Sequence, residues 1–124
     1  MKIELNHTIV SATDQRATAT FFTEVLGLPE AKSDPPFLEV FLTNDVILAV
    51  LPAERVHPQH YAFLVGDEEF DAIFGRIVER GITYYADPFQ NQPGQINHHD
   101  GGRGCYWLAP DGHVLEMITV PYGG

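Results

Sequence analysis

The sequence predicts an α+β fold built from two βαβββ units. Three observations predict it. First, the chain repeats: His7 and His60 lie 53 residues apart, Asp14 and Asp67 lie 53 apart, and Gly27 and Gly81 lie 54 apart. Second, each half carries one stretch at helical spacing, opened by an aspartate and closed by one of those glycines. Third, short apolar runs flank two turn pairs, Asn44-Asp45 and Asp111-Gly112, which lie 67 residues apart.

Each element follows in order. Residues 3–11 alternate, with Leu5, His7 and Ile9 on one face and Asn6, Thr8 and Val10 on the other. Asp14 is placed to cap a helix carrying Ala17, Phe21, Phe22 and Val25, and Gly27 stops it. A polar stretch ending in Pro35-Pro36 leads to strands over residues 37–43 and 46–51, joined at Asn44-Asp45. The order then restarts with a strand over residues 60–65 and a second cap at Asp67. Glu68 and Glu69 lie in the first turn, where the helix dipole favours anions. Phe70, Ile73, Phe74, Ile77 and Val78 form an apolar stripe, and Gly81 ends it. Strands over residues 82–86, 104–109 and 113–120 complete the half, the last two joined at Asp111-Gly112. The second half carries about 13 extra residues, which fall in a loop over 90–103 rich in Gly, Asn, Gln and His. A long loop in a compact domain is more often functional than filler. The expectation is one domain over residues 1–124, with unit 1 at about 1–54 and unit 2 at about 57–122.

Composition bounds the function. Hydrophobic residues make up 44% and charged residues 19%, as in soluble globular proteins. Seven basic against 17 acidic residues give a net charge of −10, which argues against nucleic acid or an anionic membrane as partner. The single cysteine, Cys105, excludes an internal disulfide and a Cys-rich zinc site, and reads as a small buried hydrophobe rather than a nucleophile. The longest apolar run, residues 46–51, is too short to span a bilayer, and the start shows no secretory pattern, so the expected location is the cytoplasm.

Three residues carry the chemistry. His7 and His60 take equivalent places in the first strand of each half, and Glu116 lies inside the apolar run Val114-Leu115-Glu116-Met117-Ile118. A carboxylate there is costly to bury unless it meets a cation or hydrogen-bond donors. Two imidazoles and one carboxylate suit a divalent metal with open positions, the donor set of non-haem Fe(II) oxygenases. His113, three residues before Glu116, falls on the opposite face by strand alternation and is not expected to be a ligand.

These residues resemble the vicinal oxygen chelate superfamily, also called the glyoxalase/bleomycin resistance/dioxygenase superfamily. The likeness covers essentially the whole chain. It includes the paired βαβββ units, His7, the segment His60-Tyr61-Ala62-Phe63 and the closing Pro110-Asp111-Gly112-His113-Val114-Leu115-Glu116. It implies that the paired units curl into a cup of mixed sheet around a metal held by His7, His60 and Glu116. It also implies a homodimer in which each site takes ligands from both chains. Glyoxalase I members place a fourth ligand, a glutamate, where the offset of 67 from Glu116 puts Ala49, which cannot coordinate. Bleomycin-binding members lack the triad.

The stretch from Asn97 to Glu116 resembles the signature of extradiol ring-cleaving dioxygenases. It implies Tyr106 and His99 as catalytic partners, with His98 and Arg103 against the substrate. An acid–base histidine is also implied between the two histidine ligands; only His57 lies there, beside Pro58. The ending Ile118-Thr119-Val120-Pro121-Tyr122-Gly123 is similar to that of small members with unassigned reactions. The expected function is Fe(II) dioxygenase-like chemistry on a small substrate with vicinal oxygens, with Mn, Zn, Ni or Co as other possible metals. The alternatives are a fosfomycin-type thiol transferase, for which Arg103 is the nearby basic candidate, and a non-enzymatic protein that sequesters a small ligand or drug.

Overall fold

The computed structural model describes residues 1–121; Tyr122 and Gly123, named above in the ending, lie outside the described residues. The chain separates into two compact units, with the break between His57 and Pro58. Each holds one α-helix and a four-stranded mixed sheet, so the two βαβββ units of the repeat are present.

Unit 1 runs β1 (His7–Ala12), α1 (Gln15–Leu26), β2 (Lys32–Asp34), β3 (Phe37–Phe41) and β4 (Ile47–Pro52), with sheet order β1-β4-β3-β2. β1 and β4 are parallel, His7 lying opposite Ile47 and Ile9 opposite Ala49. β4 and β3 are antiparallel, with Glu39 opposite Ala49. The expected first strand began at residue 3; β1 begins at His7, because its partner β4 begins opposite it at Ile47. Ile3 and Leu5 stay exposed. The polar stretch before the prolines contains β2, whose three side chains are all exposed and so show no apolar alternation. Thr8, Val10, Ala12, Leu38, Val40, Leu48 and Val50 share one sheet face, by alternation and register, and α1 packs on the sheet.

α1 is capped as expected. Asp14 accepts a hydrogen bond from the Ala17 amide at 3.0 Å, and Gly27 takes a left-handed conformation at φ 74°. Its buried side is Thr18, Ala19, Phe22, Thr23 and Val25. Phe22 and Val25 are buried as expected, whereas Ala17 is exposed and Phe21 only half-buried. Two threonines stand on the core side and mask the period.

Unit 2 runs β5 (His60–Leu64), α2 (Asp67–Glu79), β6 (Tyr84–Tyr85), β7 (Gly104–Leu108) and β8 (Val114–Ile118), with order β5-β8-β7-β6. The cap of α2 is Gly66 rather than Asp67, and Asp67 is the first helical residue. Phe70, Ile73 and Ile77 are buried and Phe74 half-buried, whereas Val78, expected in the stripe, is exposed. β8 stops at Ile118, short of the expected 120, opposite the last residue of β5, Leu64, and the first of β7, Gly104. The turn expected at Asp111-Gly112 is a three-residue connection, Pro110–Gly112, between the paired Ala109 and His113, with Asp111 and Gly112 at positive φ, 67° and 81°. The long loop is anchored from within: the Asp87 carboxylate accepts from the amides of Phe89, Asn91 and Gln92, and Asn97 pairs with Gly104. Among the described residues no helix is long and apolar enough to cross a membrane.

Candidate functional site

Strand alternation sorts unit 2 into two faces. Trp107, Leu115, Met117 and Cys105 are fully buried on the face that α2 covers. Burial pushes the Cys105 thiol up to about 12, which leaves it unreactive as a thiolate at neutral pH. The other face carries His60, Ala62 and Leu64 of β5, Glu116 of β8 and Tyr106 of β7.

Glu116 is 1% exposed yet sits in an apolar strand. Its neighbours on either side explain how it is tolerated. Ala62 lies directly opposite it on β5, and this small side chain leaves room for the carboxylate to lean toward His60. The His60 Nε2–H donates to Glu116 Oε1 at 2.9 Å, with the His60 side chain 47% exposed. On the far side Tyr106 lies opposite Glu116 on β7. The Tyr106 ring is stacked beside the His60 imidazole, centroids 6.0 Å apart and planes 27° apart. A buried carboxylate, a half-exposed imidazole and a buried phenol ring thus meet on one sheet face.

The supporting groups lie on the opposite face. His113 is fully buried, and its Nδ1 accepts from the Gln59 amide at 3.0 Å, next to His60. Its ring meets Tyr61 edge-on at 5.6 Å, and burial raises the Tyr61 phenol above its ordinary range. His113 therefore stands on the face away from Glu116, as alternation predicts.

The remaining expected residues divide. His99 begins a single 3-10 turn, His99–Gly101, and both His98 and His99 are exposed. Arg103 is held by α2: its guanidinium donates to Asp71 at 2.7 Å and to Asp67 at 3.0 Å, and lies 4.3 Å from the centre of the Phe70 ring. The Asp71 hydrogen bond, followed by that of Asp67, raises its proton affinity further. These partners lie 32 and 36 residues away in sequence and had no signal there. In unit 1, His7 is exposed, and its Nδ1–H donates to Asn6 Oδ1 at 2.8 Å, which leaves Nε2 as the lone-pair nitrogen. Ala49 occupies in unit 1 the register position of Glu116 in unit 2, since Ile9 faces Ala49 as Ala62 faces Glu116. The offset of 67 therefore holds, and the position of a fourth ligand carries a methyl group.

The donor chemistry suits a divalent ion. One imidazole nitrogen and one carboxylate oxygen converge at 2.9 Å, and His60 and Glu116 would offer a divalent ion one nitrogen and one oxygen donor. Within neither unit, among the described residues, do three His, Cys, Asp or Glu side chains gather into a metal-holding group. His60 and Glu116 form the pair in unit 2, and His7 belongs to unit 1.

The chain is similar to several known proteins. The solved structure of "Oxidase ChaP-H1" matches at a TM-score of 0.96 and 57% identity, over 99% of this chain and 100% of that one. "Oxidase ChaP-H2" matches at a TM-score of 0.96 and 51% identity, over 100% of this chain and 98% of that one. "Glutathione transferase FosA" of Serratia marcescens is 31% identical over 120 residues, covering 91% of this chain and 78% of the relative. The family model of the Glyoxalase/Bleomycin resistance protein/Dioxygenase superfamily matches residues 4–117, nearly the entire length that holds the repeat, His7, His60 and Glu116, and the chain belongs to that superfamily.

Proposed function

We propose that this protein is a divalent-metal-dependent oxidoreductase acting on a small substrate with adjacent oxygen donors. His7, His60 and Glu116 hold the metal and Fe(II) is the favoured ion. The observation that carries the reading is the buried Glu116 carboxylate meeting His60 at 2.9 Å beside the Tyr106 ring. The similarity to two oxidases at 57% and 51% identity supports it. A bound divalent ion would supply Lewis-acid polarisation of two vicinal oxygens. The chain's own residues do the rest. Ala62 gives the Glu116 carboxylate its room, and Tyr106 flanks His60 and orients a substrate through ring contact and its phenol. His99, exposed on the loop before β7, exchanges protons with the substrate. The chain works as one domain over residues 1–124, as a homodimer in the cytoplasm.

A thiol transferase is the second reading, favoured by the 31% identity to a glutathione transferase. The transferase reading relies on a basic pocket, and Arg103 is engaged by Asp67 and Asp71. That weighs toward the oxidoreductase. The deciding experiment loads the protein with Fe(II) without oxygen and then follows oxygen uptake with a panel of catechols. A parallel sample receives glutathione and fosfomycin. Oxygen uptake that slows in Tyr106→Phe and His99→Ala, with the metal retained, is the expected result. Thiol adduct without oxygen uptake moves the protein to the transferases. Tight ligand binding that ignores metal removal, with neither reaction, marks a sequestering protein.

A further inference from the structure

Glu39 stands out in unit 1. It lies in the middle of β3, half-buried, between Phe37 and Phe41 on the face away from α1, while its neighbours Leu38 and Val40 are buried toward the helix. Its register partner on β4 is Ala49 and on β2 is Lys32. The Lys32 Nζ lies over the Phe41 ring, 5.1 Å from its centre, and forms no ion pair with Glu39. No hydrogen bond or ion pair of the Glu39 side chain forms among the described residues. A half-buried carboxylate that accepts no hydrogen bond keeps both its oxygens available to a ligand.

The repeat says what the position is for. Glu39 pairs with Ala49 as Tyr106 pairs with Glu116, so Glu39 is the counterpart of Tyr106. Unit 2 puts its carboxylate on the last strand and its larger ring on the strand beside it. Unit 1 reverses the sizes, with the carboxylate on β3 and a methyl group on β4. In unit 2 a glutamate reaches the histidine of the first strand across the small Ala62. In unit 1 Glu39 shares the sheet face of His7 from two strands away, and its row runs through the small Ala49 to Ile9 of β1.

We propose that Glu39 is a catalytic proton acceptor for the substrate, an inference that rests on the metal-dependent reading above. A substrate hydroxyl presented to this face loses its proton to a Glu39 carboxylate oxygen: the O–H bond breaks, its electron pair stays on the substrate oxygen, and the proton bonds to Glu39. The titratable groups around Glu39 are Lys32 and Asp34 of β2 and His7 of β1; the face of β4 offers only Ile47, Ala49 and Leu51.

The test counts protons. Anaerobic Fe(II)-loaded protein is titrated with 4-nitrocatechol in a calorimeter, in two buffers of different ionisation enthalpy, for wild type, Glu39→Gln and Glu39→Asp. The expected result is one proton fewer released to buffer by wild type than by Glu39→Gln at equal iron content, with Glu39→Asp keeping the wild-type count. Equal counts and equal affinity in wild type and Glu39→Gln overturn the proposal while leaving the metal reading in place. Wild type that retains no iron, or binds no probe with iron present, overturns the metal reading and this role with it.

Discussion

A buried imidazole needs its ring nitrogens answered, and His113 shows how one is answered to the benefit of a neighbour. Its Nδ1 takes the Gln59 amide proton at 3.0 Å, and the Gln59 carbonyl in turn receives the Val114 amide. These two bonds fasten the start of β5 to the start of β8, the two strands that carry His60 and Glu116. Replacing His113 with Leu keeps bulk and removes the acceptor; replacing it with Asn keeps an acceptor near Nδ1. His113→Leu is expected to lose about 1–2 kcal/mol, the cost of leaving a partly buried amide without its acceptor, and His113→Asn to lose clearly less. Urea unfolding midpoints decide it, and equal losses in both variants would show that ring volume rather than the bond matters. Arg103 works at the same scale by another route. Its ion pairs with Asp67 and Asp71 and its contact with the Phe70 ring tie the end of the long loop to the first turns of α2.

At the scale of elements, the two helices differ in how they begin. α1 has a side-chain cap, Asp14 to the Ala17 amide, whereas α2 starts at Gly66 with no side-chain cap bond and three acidic residues in its first turn. Asp14→Ala is expected to cost about 1 kcal/mol of stability, the usual worth of such a cap. A denaturation curve overlying that of wild type would mean that packing on the sheet alone fixes the start of α1. Elements with an apolar period or a cap were legible in the sequence: both helices, β3, β4, β5, β7 and β8 stand close to their expected places. β2 was not legible, because an edge strand with three exposed polar side chains has no alternation to read. β6 reduces to Tyr84–Tyr85, since its edge is then taken by the loop, Tyr85 bridging to Pro93. His60 was marked by the repeat and Glu116 as a carboxylate in an apolar strand, both as members of a set with His7; the direct bond between the two became visible only in the structure. Glu39 was passed over because a glutamate in a strand looks like any solvated position until the register places it opposite Ala49.

At the scale of the whole molecule, a net charge of −10 favours cation binding in general, so specific metal binding must be separated from loose attraction. Stability offers the separation. An ion bound by the folded state alone stabilises it by mass action, about 2.7 kcal/mol at a hundredfold excess over the dissociation constant. For a chain of this size that corresponds to a rise of roughly 8–15 °C in the unfolding midpoint. Fe(II), or Mn(II) as an air-stable substitute, is expected to raise the midpoint by that order in wild type, and a chelator to reverse it. His60→Ala and Glu116→Ala each remove half of the unit 2 pair and are expected to abolish the rise. His7→Ala tests whether the first unit contributes a ligand, because His7 belongs to unit 1 and its Nε2 is the ring nitrogen not engaged with Asn6. Loss of the rise in all three variants supports the triad. A rise that survives His7→Ala but not His60→Ala would confine the metal to the second unit and leave His7 without a ligand role. A rise of equal size in all three variants would mark it as non-specific charge neutralisation.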